Sequence, residues 1–282
     1  MNDLLQMFSY SFMIRAFIVG SLVSLCAALL GLPLVLKKYS MIGDGLSHVG
    51  FGALAVAMAM NVAPMKVAIP VVVIAAIILL RVSENGRLKG DAAIALISTG
   101  ALAIGVIVMT MGGGSNIDIY NYMFGSILAL EKSDVIISTV LSIIVIILYI
   151  FFYTKLFAVT FDEAFSKATG IRTGLYNTLM AVLTALTIVL GMRLMGSLLI
   201  SALIIFPVLS SMRIFKSFKS TVISSALVSI VCFCIGLTIS FQWSTPPGAS
   251  VVCVNIVTFI VYYCIGKVKI LLFRLQKNRQ QR

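Results

Sequence analysis

A chain of 282 residues that is 61% hydrophobic and only 11% charged cannot cover a water-facing surface, because a soluble domain carries roughly 25% charged residues. Its mean hydropathy of +1.13 makes lipid the main solvent, and near-continuous apolar runs without period-2 alternation exclude an outer-membrane barrel. The net charge of +12 sits in the loops between apolar runs and forms no single basic stripe, which argues against nucleic acid as a partner.

The expected fold is all-α, a polytopic membrane protein with eight or nine transmembrane helices in a single domain over 1–282. Nine spans are read near 11–36, 43–60, 67–81, 92–111, 135–154, 174–192, 194–211, 221–241 and 250–266. The third is short, and 112–134 is a long connection. Met1 to Met7 lacks a basic n-region, so no cleavable signal is expected there. If the loop after the first helix is cytoplasmic, the inside loops hold 17 of the 21 Lys and Arg residues, leaving Arg15, Lys66, Lys132 and Arg193 outside. The positive-inside rule then puts the C-terminus in the cytoplasm and, with nine helices, the N-terminus outside.

The second apolar run opens with Met41-Ile42-Gly43-Asp44-Gly45-Leu46-Ser47-His48, which contains the only histidine of the chain. On a helix, Asp44 and His48 leave from one face. One reading is that they satisfy each other or a backbone group inside the bundle. The other is that they share a divalent cation such as zinc, manganese or iron(II); within lipid this second reading gains weight, since an ionisable group there is costly. Two ligands are few, and a two-fold dimer with this helix at its interface would present four. Binding needs the carboxylate and the neutral imidazole, so affinity is expected to fall as pH drops through the histidine range.

The 112–134 connection opens at Gly112-Gly113-Gly114 and runs through Tyr120 to Leu128. It is too apolar for a solvated loop: it either dips into a protein-lined cavity or forms an interfacial helix with an aromatic belt. Asp118, Glu131 and Asp134 are candidate contacts for an extracytoplasmic partner, against the plainer role of solvation. On the inner side, Thr160-x-x-Glu163 reads as a capping box, with Asp162 and Glu163 at a helix N-terminus and Gly170 at its C-cap. That spells a short amphipathic helix with Phe161 and Phe165 on one side, either a docking knob or a membrane-surface linker.

Gly191 to Ser197 joins two apolar runs with almost no loop, and Ser197, Ser201 and Ala202 offer close-packing positions. Pro207 is expected to kink the next helix or end its regular hydrogen bonding. The basic stretch 267–282 reads as an anchor on anionic lipid. The five cysteines, Cys26, Cys232, Cys234, Cys253 and Cys264, read as small buried hydrophobes.

No GxxxxGK[S/T] sequence is present to cradle ATP phosphates, and no HExxH or persuasive Ser/His/Asp triad. An intramembrane enzyme is therefore a weak candidate. A channel would show a filter or charge ring, and a secondary transporter would carry more intramembrane ionisable groups.

Gly31-Leu32-Pro33-Leu34-Val35-Leu36-Lys37-Lys38-Tyr39-Ser40 leading into Met41 to His48 resembles the signature of the zinc/manganese/iron ABC-importer permeases. Phe124-Gly125-Ser126-Ile127-Leu128 resembles that family's outer-loop motif. Asp162 to Gly170 resembles its coupling helix, Gly196 to Leu203 with Pro207 its late-helix motif, and Pro247-Gly248 its last outer loop. The resemblance covers nearly the whole chain in collinear order. It implies a homodimeric permease in a bacterial-type plasma membrane, with two cytoplasmic ATP-binding subunits and an extracytoplasmic metal-binding protein as partners. It maps Asp44 and His48 to the metal-coordinating positions, and Asp162, Glu163, Ala164, Phe165 and Gly170 to the segment that seats in the ATPase. No permanently bound cofactor is implied; zinc, manganese or iron is the transported substrate. Gly45 departs from the Ala or Thr common in the family and is expected to loosen the helix start. The loops place Asp44 near the cytoplasmic end, whereas a gate ligand sits deeper; a bent path through Lys37 to Gly43 would reconcile the two. The rival reading is a stand-alone secondary divalent-cation transporter.

Overall fold

The computed structural model of the chain describes residues 7, 9–84, 90–111, 123–125, 132–197 and 200–280. Its long elements are all helices: α1 (Ser11–Leu36), α2 (Ile42–Ala59), α3 (Pro64–Glu84), α4 (Gly90–Met111), α5 (Lys132–Phe151), α6 (Tyr153–Phe161), α7 (Glu163–Ala168), α8 (Thr173–Met195), α9 (Ile200–Ile214), α10 (Phe218–Trp243) and α11 (Pro247–Gln280). Eight are long and apolar enough to cross a membrane. The expected nine becomes eight plus α9, whose 15 residues rise about 22 Å against a hydrocarbon core of about 30 Å. The third span is not short, since α3 runs 21 residues with Pro70 inside it.

Helix boundaries follow local chemistry. α1 closes in a Schellman turn: Lys38 N–H donates to Val35 O at 3.1 Å and Tyr39 N–H to Leu34 O at 2.9 Å, with Lys38 at φ 62° in the left-handed position that ends a helix. α11 starts at Pro247, where a missing N–H costs nothing. Pro207 does not end α9, which continues to Ile214.

α1 and α2 form the inside of the bundle, with 72% and 78% of their apolar windows buried; the figures fall to 28% for α4 and α5 and 22% for α11. The outer helices therefore present Ile104, Ile107, Ile147, Val257 and Ile260 to lipid. Around α2, the core gathers Leu46, Phe51 and Leu54 with Val72 of α3, Ile188 of α8 and Leu203 of α9. A second cluster joins Leu29, Leu30 and Leu32 of α1 to Val145 and Tyr149 of α5 and Leu183 of α8. Lipid tails are as apolar as leucine, so these helices are held by close packing and by interhelical hydrogen bonds of about 0.6 kcal/mol each. Ser229 Oγ donates to Ser24 O across 2.9 Å, and Ser211 Oγ to Ser224 Oγ across 3.0 Å. Cys26 and Cys232 are buried as expected, whereas Cys253 and Cys264 are exposed, because they lie on the outward face of α11.

Between α8 and α9 the chain turns at Gly196, with φ +80°, against the backbone of Met123 and Gly125. Nearby, Gly191 packs on Val23, in the middle of α1, and on Ile200. Met123 to Gly125 of the 112–134 connection, helical at its first two residues, thus packs against the α8–α9 turn. The rest of that connection, 112–122 and 126–131, lies outside the described residues.

Candidate functional site

Asp44 falls in the first turn of α2 and His48 one turn later. His48 Nε2 and Asp44 Oδ1 stand 3.7 Å apart, beyond the 2.7–3.2 Å of a hydrogen bond. The two side chains therefore make no hydrogen bond to each other, though they stand at ion-pair distance. The histidine side chain is 10% exposed and the aspartate 36%, and His48 Nδ1 is buried without a hydrogen-bond partner among the described residues. Ser47 Oγ donates to the Asp44 carbonyl at 2.8 Å, leaving the carboxylate free of that hydroxyl. A cation bound tetrahedrally at about 2.0–2.1 Å from each ligand separates them by about 3.3–3.5 Å, so the gap accepts one with a small side-chain adjustment. No cluster of three or more His, Cys, Asp or Glu occurs among the described residues. Asp44 and His48 are the two groups of this kind that one chain brings together here.

The depth of Asp44 follows from two glycines. Gly31 of α1 packs on the backbone oxygen of Ile204 in α9, and Gly43 of α2 on the end of the Ile204 side chain and on Ser201, one turn earlier. Gly31 lies six residues, about 9 Å, back from Lys37 along α1. The chain thus re-enters the bundle through the Lys37–Met41 turn, and Asp44 sits deeper than its loop position suggests. Gly45 does not loosen the helix, which is continuous over Ile42–Ala59; a Cβ there would meet Ile94 Cγ2 of α4 at 2.6 Å.

The short α7 lies at the Lys37 end. Its N-cap is Asp162, whose side chain accepts from Phe165 N–H at 2.8 Å. The Thr160 capping box does not form: Thr160 Oγ1 donates back to Leu156 O at 2.6 Å within α6, because α6 continues through Phe161. Gly170, at φ +82°, completes a Schellman turn in which Ile171 N–H reaches Ser166 O at 2.9 Å. Ser166 is buried, Asp162, Ala164 and Gly170 are exposed, and Phe161 and Phe165 expose 74% and 65% of their surface.

Glu163 does not reach back to a cap. Its Oε2 takes a hydrogen bond from Lys37 Nζ at 3.1 Å, and its Oε1 one from Asn177 Nδ2 at 3.3 Å, while Lys37 Nζ also donates to Asn177 Oδ1. Lys167 Nζ stands 3.8 Å away. Partial burial pushes the Glu163 carboxyl upward, but hydrogen bonding and charge from Lys37, the Asn177 bond and the Lys167 charge outweigh it and hold the group below its ordinary range. Asn177 was not singled out in the sequence, and Lys37 stands there only within the signature run; the signal for Asn177 was an amide placed alone in the apolar run of α8.

Asp134 is buried at 7% exposure, so it forms no part of an exposed receiving surface; Asp118 and Glu131 lie outside the described residues. Residues 267–280 continue α11 as one helix, and the side chains that would define a basic anchor from 272 onward lie outside the described residues.

The fold and site define a multi-pass helical membrane subunit with an ionisable pair set inside the bundle and a capped helix exposed at one end. The profile of the ABC 3 transport family matches residues 9–266, and the chain belongs to that family. It is similar to a probable metal transport system membrane protein of Thermotoga maritima, at 29% identity over 92% of this chain and 90% of that one. It is also similar to the high-affinity zinc uptake system membrane protein ZnuB of Haemophilus influenzae (28%, covering 89% and 97%) and to the manganese import system permease protein ScaB of Streptococcus gordonii (27%, covering 91% and 92%). Among solved structures, PsaBC from Streptococcus pneumoniae in complex with Fab superposes with a TM-score of 0.81 at 28% identity, covering 90% of this chain and 91% of that one.

Proposed function

We propose that this chain is the membrane-spanning permease of an ATP-driven importer of divalent metal, with zinc, manganese or iron(II) as substrate. The observation that carries the reading is the separation of Asp44 and His48, too long for a hydrogen bond and suited to a shared cation, in the second span of an ABC-family permease. His48 is enclosed within its own chain while Asp44 keeps 36% of its side chain exposed, and the carboxylate oxygen and imidazole nitrogen they offer suit these metals and not an alkali ion. Relatives named for zinc and for manganese transport support the substrate class.

ATP hydrolysis belongs to separate cytoplasmic subunits, which receive Asp162, Glu163, Ala164, Phe165 and Gly170. An extracytoplasmic binding protein delivers the metal. The Lys37 end of the bundle, with α7 and the C-terminus, faces the cytoplasm of a bacterial-type plasma membrane, as the distribution of Lys and Arg requires. Uptake of radioactive zinc and manganese at limiting metal, in cells carrying Asp44→Asn or His48→Ala, tests the site. Loss of uptake with normal membrane abundance is expected, and uptake equal to the parent's would remove the site. Reconstitution with and without the ATPase separates this reading from a stand-alone transporter, which needs no ATP.

A further inference from the structure

The ion pair between Lys37 and Glu163 joins the exposed α7 to the end of α1, 126 residues earlier in the chain. It connects two helices, whereas the Asp44–His48 and Glu163–Lys167 pairs each lie within one helix. The Lys37 side chain is only 9% exposed, an unusual state for a lysine, and its ammonium is held by two acceptors. Asn177, itself 3% exposed on α8, accepts from Lys37 and donates to Glu163, so the three side chains close a ring.

A lysine at the C-terminus of a helix needs no further partner to be favourable there. Lys37 instead reaches away from α1 toward two other helices. Its backbone begins a stiff connection: Lys37 N–H donates to Pro33 O, Lys38 to Val35 O and Tyr39 to Leu34 O, and Ile42 N–H then donates to Tyr39 O and Gly45 N–H to Met41 O. These bonds leave little slack between Lys37 and the first turn of α2. α7, by contrast, is six residues long and largely exposed, an element whose position depends on what grips it.

We propose that Lys37 is a positioning residue that, through Glu163 and Asn177, carries displacement of α7 to the first turn of α2 and so to Asp44. The proposal rests on the permease reading, in which a partner moves α7 and a metal sits at Asp44. Coupling between two sites requires an element that both of them bias. Here that element is the Lys37–Gly45 segment, held at one end by the ring of three side chains and carrying the ligand at the other.

The test uses the complete transporter in proteoliposomes, permease with its ATPase and binding protein, and measures manganese or zinc moved per ATP hydrolysed. Lys37→Met and Asn177→Leu are expected to lower that ratio about tenfold, within the range of typical coupling energies. Lys37→Arg, and the exchange of Lys37→Glu with Glu163→Lys, are expected to restore most of it. A ratio in Lys37→Met equal to the parent's overturns the proposal. So does a loss of transport and hydrolysis in equal proportion, which marks simple destabilisation, or a deficit that neither rescue variant reduces. Absence of ATP-dependent metal uptake in the parent complex overturns the permease reading itself, and is told apart from these outcomes by the parent control.

Discussion

Gly196 and Met123 touch backbone to backbone: a Cβ built on Gly196 would lie 2.2 Å from the Met123 carbonyl oxygen. The contact fixes the turn from α8 into α9 against a segment that enters from the 112–134 connection. Because Gly196 sits at φ +80°, an L side chain there is strained even before the clash is counted.

Gly196→Ala is therefore expected to destabilise the protein by about 1–3 kcal/mol, the cost of holding a residue with a Cβ at φ 80° and ψ 161°, with the overlap adding to it. Thermal unfolding in detergent reads the change, and an unfolding midpoint equal to the parent's would show that the Met123 segment is not packed there.

Asp162→Ala removes the side-chain oxygen that accepts from Phe165 N–H at 2.8 Å. An N-cap of this kind contributes about 0.5–2 kcal/mol, and in a six-residue helix it supplements the grip of Lys37 and Asn177 on Glu163. Hydrogen exchange at Phe165 and Ser166 is expected to rise about tenfold while exchange in α1 stays unchanged. A Thr160→Val variant is the control: Thr160 caps nothing, so α7 exchange should stay at the parent's level.

The Glu163 carboxyl is held below its ordinary range in the folded protein. Its contribution to stability is thus fully present above the unfolded-state value, about 4.3, and is lost as pH falls through the lowered folded value. The difference in unfolding midpoint between parent and Glu163→Gln is expected to be constant from about pH 8 to about pH 5 and to shrink only in stronger acid. A difference that shrinks between about pH 8 and pH 6 would show that another group is responsible.

If two chains share one substrate site, the purified permease at saturation should hold one zinc or manganese ion per two chains. Isothermal titration of the parent, with His48→Ala as the comparison, measures this. A stoichiometry of one ion per chain that survives in His48→Ala would place the metal elsewhere.

Much of the architecture was legible without tertiary information, because a lipid-spanning helix must satisfy its backbone internally and therefore shows as an apolar run of the right length. The runs that became α1, α2, α4 and α10 were found within a few residues of their limits. The bend between α8 and α9 falls at Gly196, inside the Gly191–Ser197 junction, but α8 runs on to Met195, past the 192–194 break read from the apolar runs. Thr160 and Glu163 have capping-box spacing, but spacing does not say whether the preceding helix has already ended.

What the sequence determined alone was the solvent of the protein, the pairing of Asp44 with His48 on one helical face, and the C-cap of α7 at Gly170. These depend on composition and on contacts within a few residues, which local geometry dictates. Only the tertiary structure decided that Glu163 meets Lys37 rather than its own helix cap, that Met123 reaches Gly196, and that Gly43, beside Asp44, packs on Ser201 and Ile204 of α9. Each of these joins residues tens to more than a hundred positions apart, and packing of whole helices, not the chemistry of any one segment, brings them together.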